Sequence, residues 1–222
     1  MCIRDRVTTM LALIKKDILI AKKMWFVVML LSLLIPLFIR FAGGDITIPS
    51  GVVLSVMSII LSMMIFTSID QEEDKYPKAK ALLTTVGYSR KLQILHRYIL
   101  MAVFFLFCIL VIFVESLLVT GLAPVTFMDL SLAAFAFAFV SSLYLALTTT
   151  LGTRASQYLV MLVIFAISMG PFLISKFEIK IDLSFFQRIH PVLLATGLLI
   201  AAALVSSLSL IISLAAYRKK DL

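Results

Sequence analysis

Charged residues are scarce in this sequence. Asp, Glu, Lys and Arg make up 14% of its 222 residues and hydrophobic residues 62%, whereas soluble domains average about 25% and about 45–50%. This balance excludes an ordinary soluble domain. The apolar residues instead form runs of about 18–25 residues, the length that crosses a bilayer as a helix. The chain is therefore predicted to be an all-α, polytopic membrane protein.

Cysteine and histidine are also rare. Cys2 and Cys108 are too far apart to indicate a disulfide framework, and His96 and His190 have no companion ligands nearby. The sequence has no Gly-x-x-x-x-Gly-Lys-Ser/Thr phosphate-binding loop. We therefore expect no catalytic residues, no metal site and no cofactor in this chain, and no ATP hydrolysis by it.

The first nine residues differ in character from the rest. They begin with the letters MCIRDR, which resemble translated adapter DNA, whereas Met10 starts a more natural opening. We expect residues 1–9 to be a non-native leader and residues 10–222 to form a single transmembrane domain. The first apolar run lacks a small-residue cleavage site, which predicts an uncleaved anchor.

Six apolar runs organise the chain. They predict spans at residues 25–42, 52–69, 98–122, 130–151, 158–175 and 192–217. The longest polar stretch, residues 70–97, separates the second span from the third, and we expect it to lie in water. We find no internal repeat.

The distribution of basic residues predicts the orientation. Of the 20 Lys and Arg residues, all except Arg40, Lys176, Lys180 and Arg188 fall on one side of the predicted spans. Since Lys and Arg are retained in cytoplasmic loops, both chain ends are predicted to be cytoplasmic. The net charge of +8 then indicates binding to anionic lipid headgroups rather than to nucleic acid.

The segment before the first run has helical periodicity. Leu11, Ile14, Ile18, Ala21 and Trp25 recur at helical spacing, with lysines largely on other faces. This pattern predicts an amphipathic helix lying in the membrane interface. The alternative is a positive flank that only fixes the topology.

The polar stretch between the second and third spans contains a second amphipathic pattern. Ala79, Leu82, Leu83 and Val86 lie at i, i+3, i+4 and i+7, and Gly87 follows them. They predict a short cytoplasmic helix with one apolar face, which glycine ends. An apolar face in the cytosol needs a partner. The alternative is a solvated charged loop without one.

This stretch resembles ABC transporter permeases of the type-2 exporter class. The resemblance is carried by the order of its parts: the acidic group Glu72, Glu73 and Asp74, the short helix, the closing pair Ser89 and Arg90, and the basic entry Arg97-Tyr98. The opening MLALIKKD at residues 10–17 resembles small Gram-positive permeases of that class, which include exporters of phenol-soluble modulins. Many members have a proline before the Ser-Arg pair, where this chain has Val86-Gly87-Tyr88.

The resemblance implies a six-span permease subunit in a bacterial cytoplasmic membrane. It implies pairing as a homodimer or heterodimer, and a separate ABC ATPase subunit that binds the ATP and Mg²⁺. The short helix would be the coupling helix that docks on that subunit, with Glu72 or Glu73 at the head of the loop and Ser89-Arg90 at its close. The cargo would be hydrophobic or amphipathic: a peptide, a lipid or a drug.

Glu115 is the acidic residue that lies well inside a predicted span. A carboxylate at a helix centre costs about 2.5–3.5 kcal/mol on insertion scales, so it is expected to face a cavity, a helix or a proton path rather than lipid. One interpretation is a coupling site in an ion-driven secondary transporter, and the other is a structural carboxyl group. A membrane-embedded enzyme and a non-transporting immunity or assembly factor are further alternatives.

Small polar residues recur in the predicted fourth and sixth spans. Those in the fourth are Ser141, Ser142 and residues 148–150, and those in the sixth are Ser206 and Ser207. They are expected to allow close helix packing. Contact with a transported substrate is the alternative.

Overall fold

The computed structural model describes residues 3–43, 49–76, 90–118, 124–176 and 190–219, whose regular structure is entirely α-helical. These residues form seven helices: α1 (Ile3–Ile20), α2 (Lys22–Gly43), α3 (Ser50–Lys75), α4 (Arg90–Leu118), α5 (Phe127–Thr150), α6 (Thr153–Lys176) and α7 (Pro191–Lys219). The all-α prediction is thus confirmed for this part of the chain.

Several helices are long and apolar enough to cross a bilayer. Four qualify individually, at Ser50–Lys75, Lys91–Leu117, Phe127–Thr150 and Pro191–Ala216, and the bent pair α1–α2 makes a fifth if it is counted as one span. The apolar stretch Thr153–Ala166 of α6 is shorter than these candidate spans. A multi-pass membrane protein is confirmed, with four to five candidate spans, and the total of six stays a prediction.

The N-terminal helix meets α2 at a sharp elbow. Met10–Ile20 and Lys22–Ile35 are bent by 81° at Ala21, which is buried. Such a bend is the geometry required when a helix along the membrane surface is followed by one that crosses. Its buried face differs from the predicted stripe, because Leu13 and Asp17 are buried whereas Leu11 and Ile18 are exposed.

Helix α3 lies at the centre of the bundle. About 61% of its apolar window is buried, the largest share among the four candidate spans. Three of its serines are compatible with this position because Ser55, Ser58 and Ser62 donate to the backbone of the same helix, Ser62 to Ile59 O at 2.9 Å. Near its start, Gly51 allows α5 to approach: a Cβ atom at Gly51 would lie 2.9 Å from Asp129 Cα.

Small residues line the packing seam between α5 and α7. Ser209 Oγ donates to Ser142 O at 2.7 Å, and Thr149 Oγ1 donates to Ser213 Oγ at 3.2 Å. Tyr98 of α4 joins the seam, with its hydroxyl 2.7 Å from Ser209 Oγ. Of the residues predicted to pack, Ser142, Thr149 and Ser206 make contacts between α5 and α7, whereas Ser207 is exposed and donates to Ala203 O of its own helix. Ser209 and Ser213 were not predicted.

The helices that flank residues 77–89 are longer than the spans predicted there. Helix α3 continues through Lys75 and α4 begins at Arg90. The expectation that residues 70–97 lie in water is wrong for both ends of that stretch, because Asp70 and His96 are buried. The sequence has neither proline nor glycine between Gly51 and Asp70 or between Arg90 and His96, and neighbouring helices supply polar partners. We call the end of the bundle at which α3 ends and α4 begins the charged end.

Candidate functional site: a buried charged cluster beside residues 77–89

Seven polar side chains from four helices meet at the charged end. They are Lys16 and Asp17 of α1, Asp70 and Glu73 of α3, His96 and Arg97 of α4, and Tyr144 of α5. We call this group the charged cluster. Its members are far apart in sequence, and the chain between α3 and α4 is the segment predicted to contain the coupling helix.

Arg97 lies at the centre of the charged cluster. Its Nη1 atom donates to Asp70 Oδ1 at 2.6 Å, and its Nη2 atom donates to Glu73 Oε2 at 2.8 Å. Asp70 and Glu73 are three residues apart, so α3 presents both carboxylates on one face. The planar guanidinium group suits such two-point binding. Arg97 therefore clamps the end of α3 to the start of α4.

Tyr144 extends the charged cluster into α5. Its hydroxyl donates to Asp70 Oδ2 at 2.6 Å, so the Asp70 carboxylate binds Tyr144 with one oxygen and Arg97 with the other. The ring of Tyr144 packs near Phe66, one turn before Asp70, with centroids 6.5 Å apart. Both partners are buried, and the contact fixes α5 against α3.

Helix α1 is attached by two charged contacts. Lys16 Nζ lies 2.6 Å from Glu73 Oε1, and Asp17 Oδ2 lies 2.9 Å from His96 Nε2. The other ring nitrogen of His96 faces Leu92 O at 3.2 Å. Asp17 and His96 are both buried. The N-terminal helix is thus bound to both helices that flank residues 77–89.

The charges in the cluster nearly balance. Three carboxylates face two permanently charged cations and one histidine. Burying unpaired charge is costly, and removing one partner of a buried pair typically costs about 3–5 kcal/mol. The cluster therefore resists being pulled apart, and the helix ends that it joins are expected to move together.

A further contact connects α3 to α6. Thr153 Oγ1, at the start of α6, donates to the Asp74 carboxylate. The turn that precedes Thr153 uses Gly152 at φ +93°, a conformation that favours glycine, and Gly152 N donates to Leu147 O at 3.2 Å. The end of α3 is therefore linked to α1, α4, α5 and α6.

The two predicted glutamates have different surroundings. Glu73 lies in the charged cluster, whereas Glu72 pairs with Lys75 on the exposed side of α3, at 2.6 Å. Arg90 begins α4, and its side chain lies outside the described residues. Ala79, Leu82, Leu83, Val86 and Ser89 also lie outside the described residues, so the coupling helix stays a prediction.

Glu115 does not belong to the charged cluster. It follows Arg97 by 18 residues on α4, about 27 Å along a helix axis, and so lies toward the opposite end of the bundle. Its side chain is 7% exposed, and its Oε2 atom has no hydrogen-bond partner among the described residues. This environment agrees with the prediction that Glu115 avoids lipid, and leaves both of its interpretations open.

Sequence reasoning missed the charged cluster as a unit. The sequence pattern indicates Glu73 as a candidate site residue and Arg97 as the basic residue before a span, but it does not predict an ion pair between them. The available signals were Asp70 and Glu73 at helical spacing just after an apolar run, and Arg97 just before the next one. No sequence spacing relates Asp17 to His96 or Asp70 to Tyr144. Within the described residues, no group of three or more His, Cys, Asp or Glu side chains could hold a metal ion.

The chain matches a known protein family. A family model described as "ABC-2 family transporter protein" matches residues 12–218, which is nearly the whole chain. No curated protein and no solved structure matches the chain. The matched range begins within α1 and ends within α7, so it includes every residue of the charged cluster.

Proposed function

Because this chain belongs to the ABC-2 transporter family, we propose that it is the permease subunit of an exporter driven by a separate ATPase subunit. The observation that carries the proposal is the buried charged cluster, which joins four helices beside residues 77–89. A permease moved by a partner needs its helices connected where the partner pushes, and the cluster supplies that connection.

The proposed mechanism is mechanical. The ATPase binds ATP and Mg²⁺, closes on the nucleotide and displaces the coupling helix within residues 77–89. The apolar face of this proposed helix consists of Ala79, Leu82, Leu83 and Val86. Glu73 precedes the helix in the sequence, and Ser89-Arg90 follows it. Because Arg97 clamps both flanking helix ends, α3 and α4 tilt together. Lys16 and Tyr144 carry the movement to α1 and α5. The transport path through the membrane thereby changes from opening on the inner side to opening on the outer side.

The proposed arrangement in the membrane has six spans in a bacterial cytoplasmic membrane. The charged end faces the cytoplasm with both chain ends, because the basic residues concentrate there. Helix α1 lies in the interface, as its 81° bend from α2 allows, and the permease works as a homodimer or heterodimer. The cargo is a hydrophobic or amphipathic molecule such as a peptide, lipid or drug, and nucleic acid is not a partner.

Loss of partner binding on Leu82→Asp tests this proposal. The tagged protein is extracted from its native membrane in mild detergent, and co-purifying proteins are identified by mass spectrometry. We expect a stoichiometric partner that contains a phosphate-binding loop, lost when a charge enters the apolar face of the coupling helix. Thr84→Asp adds the same charge off that face and should retain the partner. Purification of the wild-type protein alone, from several detergents, would overturn the proposal.

A second candidate function is an ion-coupled secondary transporter. The observation that favours it is Glu115, a buried carboxyl group whose Oε2 atom has no partner among the described residues. Glu115→Gln would then abolish transport, and transport would survive ATP depletion but stop when the ion gradient is collapsed. Normal transport by Glu115→Gln at normal expression would exclude this function and leave Glu115 with a structural role.

A further inference from the structure

An open cavity lies between α2, α3 and α6, on a side of α3 away from the charged cluster. It has a volume of about 290 Å³. Its floor consists of six α3 residues: Ile60, Met63, Met64, Thr67, Ser68 and Gln71. Met24 of α2 forms one wall, and Val160 and Ile164 of α6 form the other. We call this cavity the α3 groove.

The floor follows one face of α3. Its residues lie at i, i+3, i+4, i+7, i+8 and i+11, which share a helix face. From Ile60 to Gln71 the helix advances about 16 Å, at about 1.5 Å per residue, which is near half of the roughly 30 Å hydrocarbon thickness. The α3 groove therefore extends over about one leaflet.

The chemistry of the floor changes along the helix. Ile60, Met63 and Met64 form its apolar half, farther from the charged end, and methionine side chains adapt to chains of varied shape. Thr67, Ser68 and Gln71 form its polar half, nearer that end. The side chains of Ser68 and Gln71 form no hydrogen bond with the residues that the structure describes. Hydroxyl and amide groups at this level can bind a polar head group.

This gradient distinguishes the α3 groove from an ordinary lipid-facing surface. The outer face of α7 exposes Ile200, Leu204, Leu208 and Ile211. Its exposed hydroxyl groups, those of Thr196 and Ser207, donate to carbonyl groups of their own helix, whereas the side chains of Ser68 and Gln71 in the groove have no such partner among the described residues. The cavity volume is at the lower end of the roughly 300–1,000 Å³ typical of small-molecule sites, which suits one alkyl chain.

We propose that the α3 groove binds a single-chain amphiphile, with its alkyl chain along Ile60, Met63 and Met64 and its hydrogen-bonding head group at Ser68 and Gln71. The proposal rests on the proposed orientation, which places the polar half at the cytoplasmic surface, and it identifies an entry site for amphipathic cargo from the inner leaflet. Helix α3 has the groove on one side and Asp70 and Glu73 on another. A bound amphiphile therefore contacts the helix that the charged cluster connects to its neighbours.

Photolabelling of the purified full chain in phosphatidylcholine nanodiscs tests the proposal. The probe is a lysophosphatidylcholine with a diazirine at the end of its acyl chain, and labelled peptides are mapped by mass spectrometry. We expect saturable labelling near Ile60 of α3 and near Ile164 of α6, the lining residues farthest from the head group. Labelling on the α7 face should rise in proportion to the probe, as expected of lipids that exchange freely around the protein.

Three variants test whether the labelling depends on the two halves of the α3 groove. Met64→Trp should fill the apolar half and remove the saturable labelling, whereas Leu208→Trp adds the same ring on the exposed α7 face and should not. Gln71→Ala removes one exposed hydrogen-bonding group without altering the core, and should weaken the probe's apparent affinity about fivefold, the effect of one typical hydrogen bond.

The result does not depend on an ATPase. Labelling that is equal on α3 and α7, or that never saturates, would overturn the α3 groove as a site even if an ATPase co-purifies with the chain. Saturable labelling of a chain that binds no ATPase would retain the site and overturn the proposed exporter.

Discussion

At the residue scale, the adjacent residues Glu72 and Glu73 differ in role: Glu73 connects helices, whereas Glu72 carries a surface charge. Glu73 lies between Lys16 and Arg97, and its side chain is 13% exposed, whereas Glu72 pairs with Lys75 near solvent. Exposed pairs contribute little because water and salt screen them. Buried pairs are costly to break because the remaining partner keeps its charge without compensation. The two positions are adjacent in sequence, yet their substitutions should differ in effect.

Substitution of the two glutamates by glutamine checks this difference. Glu73→Gln should lower the free energy of unfolding by about 3 kcal/mol or more, because it leaves Lys16 and Arg97 undercompensated. Glu72→Gln, the matched control, should leave the thermal unfolding midpoint unchanged. The measurement is unfolding of each purified variant in the same detergent. Equal midpoints for the two variants would contradict the assignment of Glu73 to the charged cluster.

At the element scale, the position of α3 depends on close contact with α5. Gly51 faces the start of α5, where Thr126 and Asp129 form a capping box that fixes the first turn. A methyl group at Gly51 would lie 2.6 Å from Asp129 Oδ1 and 2.9 Å from its Cα. Since the Cα atom belongs to the backbone, the clash cannot be relieved by a side-chain rotation alone. The two helices would have to move apart.

Alanine at two glycines tests the close approach of α3 and α5. Gly51→Ala should destabilise the protein by about 1–3 kcal/mol, as overpacking does. Gly197→Ala, on α7, meets nothing within 4 Å and should be neutral or stabilising by up to about 1 kcal/mol through helix propensity. Both are measured by thermal unfolding in one detergent. A Gly51→Ala protein as stable as Gly197→Ala would show that the helices are farther apart.

At the scale of the whole molecule, the two ends of the bundle differ in charge. The charged end holds the six ionisable members of the charged cluster, whereas the opposite end holds Pro124 and Thr126, which precede the first residue of α5. The proposed orientation, which rests on the distribution of Lys and Arg in the sequence, places the charged end at the cytoplasmic surface. A permease in this orientation presents residues 77–89 to a cytosolic ATPase.

Labelling of single cysteines from outside intact cells tests the orientation. In a Cys2→Ser background the remaining native thiol, Cys108, is buried. Pro124→Cys should react with a membrane-impermeant maleimide in intact cells, because Pro124 is exposed at the end of the bundle that the proposed orientation places outside. Tyr76→Cys, exposed at the charged end, should react only after permeabilisation. The reverse pattern would place the charged end outside and exclude coupling to a cytosolic ATPase.

Much of this architecture follows from sequence alone. Long apolar runs require helices that cross a bilayer, since lipid cannot satisfy exposed backbone groups, and the described part of the chain is helical with four to five candidate spans. The order of features in residues 70–97 indicated the type-2 ABC permease class, and the family match over residues 12–218 confirms it. These conclusions depend on local composition and order, which a sequence displays directly.

Tertiary structure decided which polar residues work together. Asp17 and His96 are separated by 79 positions, and Asp70 and Tyr144 by 74, so no helical periodicity relates either pair. Asp70 and His96 resemble solvated flanks in the sequence because hydropathy considers each segment without its neighbours. They are buried because other helices bring opposite charges and hydroxyl groups to them. The sequence by itself determined which segments are apolar enough to cross a membrane, because hydropathy is a local property. Packing determined which polar side chains are buried at the ends of those segments, because their partners come from other helices.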